Sequence, residues 1–381
     1  MLFKRYINCP LCFERIKISD IGFRCEEPGC KSKPAFFRPQ NSIPPLEKIG
    51  LKSAPRRYPH ECGNFATTRI CPKCHLEIPP RVEDLSDMSI AIIGAKGVGK
   101  SHYVAMLIHW IRQMGDEFGW NLTVMNELTW NRYENEFWKP LFVHHQTIKI
   151  TQEIHTVDQA KPLIYSLSYG KGMFSRRIML VFFDAAGENL ENDGSLAYIH
   201  RYICKASGII CLLDPLQLPR VREGLAAKYG TGVLPVIQKD TGFIISRVAQ
   251  LIDRRTDASA GDIKIPLAVA FSKMDFVRDA DDNAAGVYDQ LFQASRHRGG
   301  FCKSEFDNID GLMRSWVKSV DSFGGILNEA GRFKKNAFFG FSALGSNPKN
   351  ETLDHDPRSF RVEDPFLWLL SQKGLVKTIK G

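Results

Sequence analysis

No stretch of the chain supplies the roughly 18 consecutive apolar residues that a bilayer-spanning helix requires. The opening residues hold Lys4, Arg5 and then Cys9 with no apolar core behind them, so no secretory signal is expected and a cytoplasmic location is. Cysteine is scarce after residue 83, where only Cys204, Cys211 and Cys302 of the 10 cysteines lie. That scatter excludes a disulfide framework, and Cys204 and Cys211 flank an apolar run in the manner of core residues. No internal repeat is visible, so a second copy of any domain is not expected. Wholesale disorder is excluded as well, because 44% of residues are hydrophobic and 24% charged. A length of 381 residues favours about two domains.

What is abundant is confined to residues 1–83. This segment holds seven of the cysteines and 15 Lys and Arg against 8 Asp and Glu, whereas the rest has 36 against 34. An excess of +7 points to an acidic partner such as nucleic acid. Seven thiolates on two Zn²⁺ would reduce it to +4, so charge supports that partner only weakly.

The cysteine spacing is Cys9-x2-Cys12, Cys25-x4-Cys30, His60-x-Cys62 and Cys71-x2-Cys74. Zinc takes four soft or borderline ligands at tetrahedral corners, and a CxxC turn brings two sulfurs to one ion. Seven cysteines leave one place open in two four-ligand sites, and His60 fills it; His75 or water is the alternative. Three pairings of the four ligand pairs are possible. Cys9 and Cys12 with Cys71 and Cys74 is the favoured one, a zinc ribbon with a long insertion. With all ligands from protein, both sites read as structural. Residues 34–59, rich in Pro, Ser, Lys and Arg, read as an extended loop between them.

Residues 89–93 form an apolar run of strand type, followed directly by Gly94-Ala95-Lys96-Gly97-Val98-Gly99-Lys100-Ser101 and then His102. GxxxxGK[ST] lets successive backbone N–H groups cradle phosphates, with Lys100 on the β- and γ-phosphates and the Ser101 hydroxyl on Mg²⁺. Tyr103, Val104, Leu107, Ile108, Ile111 and Met114 recur at helical spacing, so the loop joins a strand to a helix as the mechanism requires. A second strand-like run, 178–183, ends in Asp184-Ala-Ala-Gly187-Glu188. Asp184 can hold Mg²⁺ through water, and the Gly187 N–H can reach a γ-phosphate.

Two further pieces concern the base. The run 265–271 leads into Ser272-Lys273-Met274-Asp275, where a carboxylate can accept both N1–H and N2–H₂ of guanine while a lysine stem lies across the ring. The run 337–341 leads into Ser342-Ala343-Leu344, where a backbone N–H can meet the guanine oxygen.

These four ordered motifs resemble the translation-factor-related, Ras-like class of P-loop GTPases over about residues 88–375. The resemblance implies a GTP/GDP-binding, Mg²⁺-dependent switch that hydrolyses GTP. Ser272 departs from the usual Asn or Thr of the base-reading motif. Glu188 stands where small GTPases carry a water-orienting glutamine, which implies slow intrinsic hydrolysis. Lys96 replaces the usual glycine beside the γ-phosphate; it is a built-in cation, an obstacle to an arginine finger, or a solvent-facing side chain. The switch I threonine comes from Thr147, Thr151 and Thr156, with Thr156 chosen for its place shortly before the strand at 162–169. More narrowly, Cys-Pro-Leu-Cys at 9–12, Cys-Pro-Lys-Cys at 71–74, the 184–188 motif and the run 362–370 are similar to the bacterial double-GTPase-type families of conflict, or anti-phage, gene clusters. That likeness implies a switch signalling to a protein partner.

The expected architecture is a cysteine-rich double-zinc domain over residues 1–83 and a three-layer α/β P-loop GTPase domain over 84–381. The latter carries a long insertion with Trp130, Tyr133, Phe137 and Trp138, aromatics of a core or a partner face. Strands are expected at 89–93, 162–169, 177–183, 207–213, 265–271 and 337–342, with 207–213 central. Helices are expected near 101–114, 241–254, 286–296, 308–320 and 364–371. Other readings are an ATPase of the same fold, a non-hydrolysing scaffold that uses nucleotide for folding, and a zinc-ribbon nucleic-acid binder.

Overall fold

A computed structural model describes residues 6–28, 30, 57–149, 162–170, 176–184, 196–236, 241–256, 263–278, 289–321 and 324–380. Its centre is a mixed seven-stranded sheet made of β1 (Ser86–Gly94), β2 (Trp120–Val124), β3 (Leu163–Tyr169), β4 (Arg176–Asp184), β5 (Gly208–Leu213), β6 (Leu267–Phe271) and β7 (Asn336–Gly340). The spatial order is β7-β6-β5-β1-β4-β3-β2. The five strands from β7 to β4 are parallel, and β3 and β2 extend the sheet as antiparallel strands. All six expected strands are present.

The central place belongs to β1 rather than to the 207–213 run, which lies one position off centre as β5. The reason is β2, a strand the sequence reading missed. Its pattern Trp-Asn-Leu-Thr-Val is short and half exposed, and it adds a seventh member on the β4 side.

The parallel strands are apolar over most of their length, as strands covered on both faces tend to be. β5 (Gly-Ile-Ile-Cys-Leu-Leu) and β6 (Leu-Ala-Val-Ala-Phe) are buried throughout. Alternation divides β1 between the two faces. Ile90 and Ile92 share one apolar cluster with α1 (Lys100–Gln113) and the late helix α6 (Asp364–Gln372), whereas Ala91 and Ile93 belong to another with α2 (Leu196–Lys205), α4 (Thr241–Thr256) and α5 (Lys303–Val320). The remaining long helix, α3 (Pro219–Tyr229), packs Val221 and Leu225 on that second face. Within the expected helix 286–296, the described residues are helical only at 289–291. Beyond it, Ser295–Arg298 turn back, with Arg296 N–H on the Glu305 carboxylate and His297 N–H on Ser295.

In the insertion, Glu127–Arg132 is helical and Tyr133–Val143 widens into a π-helix that contains Pro140. Tyr133 and Phe137 are core residues, Trp138 stacks on Phe142, and Trp130 remains 49% exposed.

The N-terminal cysteine-rich segment is built of short antiparallel pairs, 6–8 with 15–17, 22–24 with 68–70 and 58–59 with 65–66. Leu11, Phe13, Ile16, Ile21, Ile78 and Val82 belong to the same apolar cluster as Ala91, Ile93 and Phe183. The first cysteine knuckle is thus part of the main core. Residues 31–56, which include most of the expected Pro-rich loop, lie outside the described residues.

Candidate functional site

A parallel strand ends with its side chains and loops at the carboxyl edge of the sheet, where ligands of such folds collect. β1 ends at Gly94, β4 at Asp184, β5 at Leu213 just before Asp214, β6 at Phe271 just before Ser272, and β7 at Gly340 just before Phe341 and Ser342. The register aligns Asp184 with Ile92, Leu212 with Gly94, Leu213 with Phe271, and Phe271 with Gly340. Four of the sequence motifs therefore open on one edge.

The loop after β1 is a tight strand-to-helix turn. Gly94 has no room for a side chain, since a Cβ there would stand 2.6 Å from the Leu212 carbonyl oxygen and 2.8 Å from Val98. Gly97 and Gly99 are left-handed at φ 73° and 93°. Lys100 is buried, and its ammonium donates to the Gly94 and Ala95 carbonyls at 3.0 and 2.8 Å. Its amine is thereby held against the inside of the loop. Ser101 and Val98 are buried, whereas Lys96 and Gly97 are exposed. The His102 imidazole accepts the Ile148 N–H at 3.1 Å, which ties the first turn of α1 to the segment before residue 150.

The loops after β6 and β7 hold one another. Ser272 N–H donates to the Leu213 carbonyl, Met274 N–H to Phe341, and Phe341 N–H to Phe271. Lys273, left-handed at φ 55°, extends its ammonium to 2.6 Å from an Asp214 carboxylate oxygen. The other Asp214 oxygen caps the turn at Pro215 by accepting Leu216 N–H at 2.9 Å. Asp275 is half-buried, with Oδ1 shielded from solvent and without a hydrogen-bond partner. Burial pushes its carboxyl above the usual range, and the nearby Ser342 hydroxyl and Lys273 ammonium pull it back only in part.

Behind Ser342 the chain is doubly secured. Ser342 and Phe360 exchange backbone hydrogen bonds of 3.2 and 3.0 Å, Arg358 N–H donates to Leu344, and Gly345 N–H donates to the Ser342 hydroxyl. A Cβ on Gly345 would stand 2.1 Å from the Arg358 carbonyl. Ser342 N–H is therefore committed to Phe360, so contact with a ring oxygen would fall to Ala343 or Leu344. Next to Phe360, Arg361 is buried between Glu305 and Asp364 at 3.0 Å each, with His297 3.5 Å from Asp364.

The eight metal-ligand candidates form two groups. Cys9, Cys12, Cys71 and Cys74 are one, and Cys25, Cys30, His60 and Cys62 the other, with the donor atoms of each all within 4.8 Å of one another. Two sulfurs each about 2.3 Å from a tetrahedral ion stand about 3.8 Å apart. The Cys12–Cys71 and Cys25–Cys62 separations are 3.8 Å, and Cys9–Cys74 is 4.0 Å. His60 Nδ1 lies 3.6 Å from Cys30 and 3.2 Å from Cys62, and the ring is buried. Donor set and spacing fit zinc in both groups. The pairing is the one the sequence favoured.

Thr151, Thr156, Gly187 and Glu188 lie outside the described residues, as does the Asp184 side chain. Thr147 is described, its N–H on the Glu351 carbonyl. Sequence reasoning missed Asp214 as a partner of Lys273, although its place directly after an apolar strand and before Pro215 is a usable signal.

No known family profile matches the chain. It is 28% identical over 322 residues to SaeC of Mycolicibacterium smegmatis, a protein whose name proposes ESX-1 scaffolding and assembly; the match covers 81% of this chain and 80% of that one. Among solved structures it is similar to the small GTPase Arl6 of Trypanosoma brucei with a bound nucleotide analogue, at a TM-score of 0.30, 12% identity, 76% of this chain and 98% of that one. It is also similar to the GTPase-like domain of S. cerevisiae Ski7 bound to GTP, at a TM-score of 0.31, 11% identity, 76% of this chain and 51% of that one. Scores this low carry no weight on fold, which rests on strand order and loop positions. None of these likenesses supports the expected tie to anti-phage systems. Among the described residues no helix is long and apolar enough to cross a membrane.

Proposed function

We propose that the chain is a Mg²⁺-dependent guanine-nucleotide switch of the Ras-like P-loop class that hydrolyses GTP slowly and passes its state to protein partners. The observation that carries this reading is Asp275. A shielded carboxylate oxygen without a partner is costly, and the cost is offset when matched donors arrive. Guanine offers N1–H and N2–H₂ there, with the Lys273 stem across its face; adenine offers neither pair.

In this reading Gly94–Ser101 cradle the phosphates, and Lys100, already aimed along the loop, bears on the β- and γ-phosphates. Ser101, Asp184 and Thr156 are assigned to Mg²⁺, Gly187 to the γ-phosphate, and Glu188 to a slow hydrolytic step. Bound Mg²⁺ would neutralise charge building on the transferred phosphoryl group. Residues 1–83 form a zinc-stabilised unit for two Zn²⁺ and residues 84–381 the nucleotide unit. The scaffolding name of SaeC favours assembly with other proteins, and on that ground a non-hydrolysing scaffold stands as the second reading. Turnover assayed with Lys100→Ala as control separates the two.

The test is calorimetry on zinc-loaded protein with Mg²⁺, comparing GTP with ATP. The expected result is a GTP preference of about 100-fold or more that disappears in Asp275→Ala. Equal affinity, or a preference for ATP, would overturn the base assignment and leave an ATPase.

A further inference from the structure

The turn that carries Cys9 and Cys12 ends on Phe13, whose backbone is left-handed at φ 58°. That conformation costs a non-glycine residue about 1 kcal/mol and persists only where its surroundings impose it. Two hydrogen bonds impose it here, Phe13 N–H to the Cys9 carbonyl at 3.0 Å and Cys9 N–H to the Glu14 carbonyl at 2.9 Å. Phe13 is thus oriented by the same turn that presents the sulfurs.

Its ring is 2% exposed and lies 4.8 Å from the Tyr202 ring in α2 and 6.5 Å, edge-on, from Phe183. Phe183 immediately precedes Asp184. The Tyr202 hydroxyl accepts the Phe183 N–H at 3.3 Å and donates to the Ile90 carbonyl, four residues before Gly94. The carboxyl end of β4, the middle of β1, and the helix that follows the 184–188 motif therefore meet at one tyrosine, and Phe13 packs on it. Neighbouring contacts run the same way. Glu14 pairs with Arg201 at 3.5 Å, and Asn8 donates to Asp87 at the start of β1 at 3.1 Å. Among the described residues Cys25 and Cys30 of the second ligand group sit instead with Phe23 and Ala66 in a separate small cluster.

We propose that ion occupancy of the Cys9, Cys12, Cys71 and Cys74 group is coupled to nucleotide occupancy through Phe13 and Tyr202. The proposal rests on the nucleotide reading above. With four sulfurs on one ion, the turn holds Phe13 in its left-handed state against Tyr202. Without that restraint the backbone relaxes, the ring loses its seat, and the middle of β1 and the end of β4 lose a packing partner. Linkage makes the effect reciprocal, so nucleotide raises zinc affinity by the factor by which zinc raises nucleotide affinity.

The experiment titrates Zn²⁺ on the full chain against a chromophoric chelator, without nucleotide and with saturating Mg²⁺-GDP, while calorimetry follows GDP binding to the same samples. One of the two zinc ions is expected to bind about 5- to 50-fold more tightly with GDP, the other unchanged. In Phe13→Leu, which keeps all eight ligands, the factor is expected to fall below about twofold at unchanged zinc stoichiometry. Tyr202→Phe removes only the hydroxyl bridge, should at least halve the factor, and carries the test if Phe13→Leu does not fold. Unchanged zinc affinities in a wild-type protein that binds GDP would overturn the coupling, as would a wild-type factor in both variants. A zinc-loaded chain that binds no GDP fails in the calorimeter instead, and overturns the nucleotide reading itself.

Discussion

The ammonium of Lys273 stands 2.6 Å from the carboxylate of Asp214, across the seam between the loops that follow β6 and β5. Asp214 is buried and its second oxygen caps the Pro215 turn, so the lysine is anchored to a rigid point beside the phosphate-loop strand. A stem held at both ends is a fixed platform for a flat ring, whereas a free lysine would have to be ordered on binding.

Replacing Asp214 with Asn keeps the cap acceptor but weakens the charged anchor. GTP and GDP affinities are expected to fall together by about tenfold, with little change in melting temperature, because a lysine freed from its anchor must be ordered on binding, at about 0.5–1.5 kcal/mol, while a partly exposed ion pair adds little to folding. Calorimetry beside a thermal melt checks this. Unchanged affinity would show that the anchor does not serve the base.

The two cysteine groups differ in what they hold together. Cys12→Ser opens the group embedded in the main core and is expected to lower the principal melting transition by several degrees, since structural zinc contributes directly to folding. Cys62→Ser opens the other group at its exposed ligand and should leave that transition within about a degree or two. Differential scanning calorimetry of both variants, with zinc counted by mass spectrometry, distinguishes them.

This difference was only partly legible in the sequence. Spacing alone picked out the eight ligand candidates that the fold gathers in two groups, and the tight loop between β1 and α1, because a metal or a phosphate constrains residues close together along the chain. Apolar runs likewise identified six of the seven sheet strands. What spacing cannot carry is contact between distant segments. Phe13 reads as an ordinary residue after a CxxC until the fold sets it against Tyr202, 189 positions later. Strand 120–124 escaped notice because an edge strand needs to bury only part of its surface, which leaves a weak pattern. The Arg361 cluster escaped for a related reason, as single charges far apart in sequence show no period.

Glu363 provides a prediction about pH. Burial, and then the neighbouring Asp364, push its carboxyl up to about 8 from an ordinary 4.5. Between those values the folded chain keeps a proton that the unfolded chain has lost, so this group makes stability fall as pH rises, by up to about 1.4 kcal/mol per unit, and levels off above about 8. Glu363→Gln, which stays neutral, should remove that slope. Its advantage over wild type should be small at pH 5 and largest near pH 8 in urea-denaturation series. A difference independent of pH would contradict the raised carboxyl.

Arg361 tests what supports, from behind, the loop proposed to read the base. It is buried between Glu305 and Asp364, and also donates to the Leu291 carbonyl at 2.8 Å. Removing one member of a buried ionic group leaves the others uncompensated, which costs about 3–5 kcal/mol. Arg361→Met is therefore expected to destabilise strongly. Arg361→Met combined with Glu305→Gln and Asp364→Asn removes the stranded charges and should recover a large part of the loss. Because residue 360 pairs directly with Ser342, the single variant should also weaken GTP binding more than it weakens a nucleotide lacking the base, such as inorganic triphosphate. Equal losses for both ligands would mean that the cluster supports the fold at large rather than the loop behind Asp275.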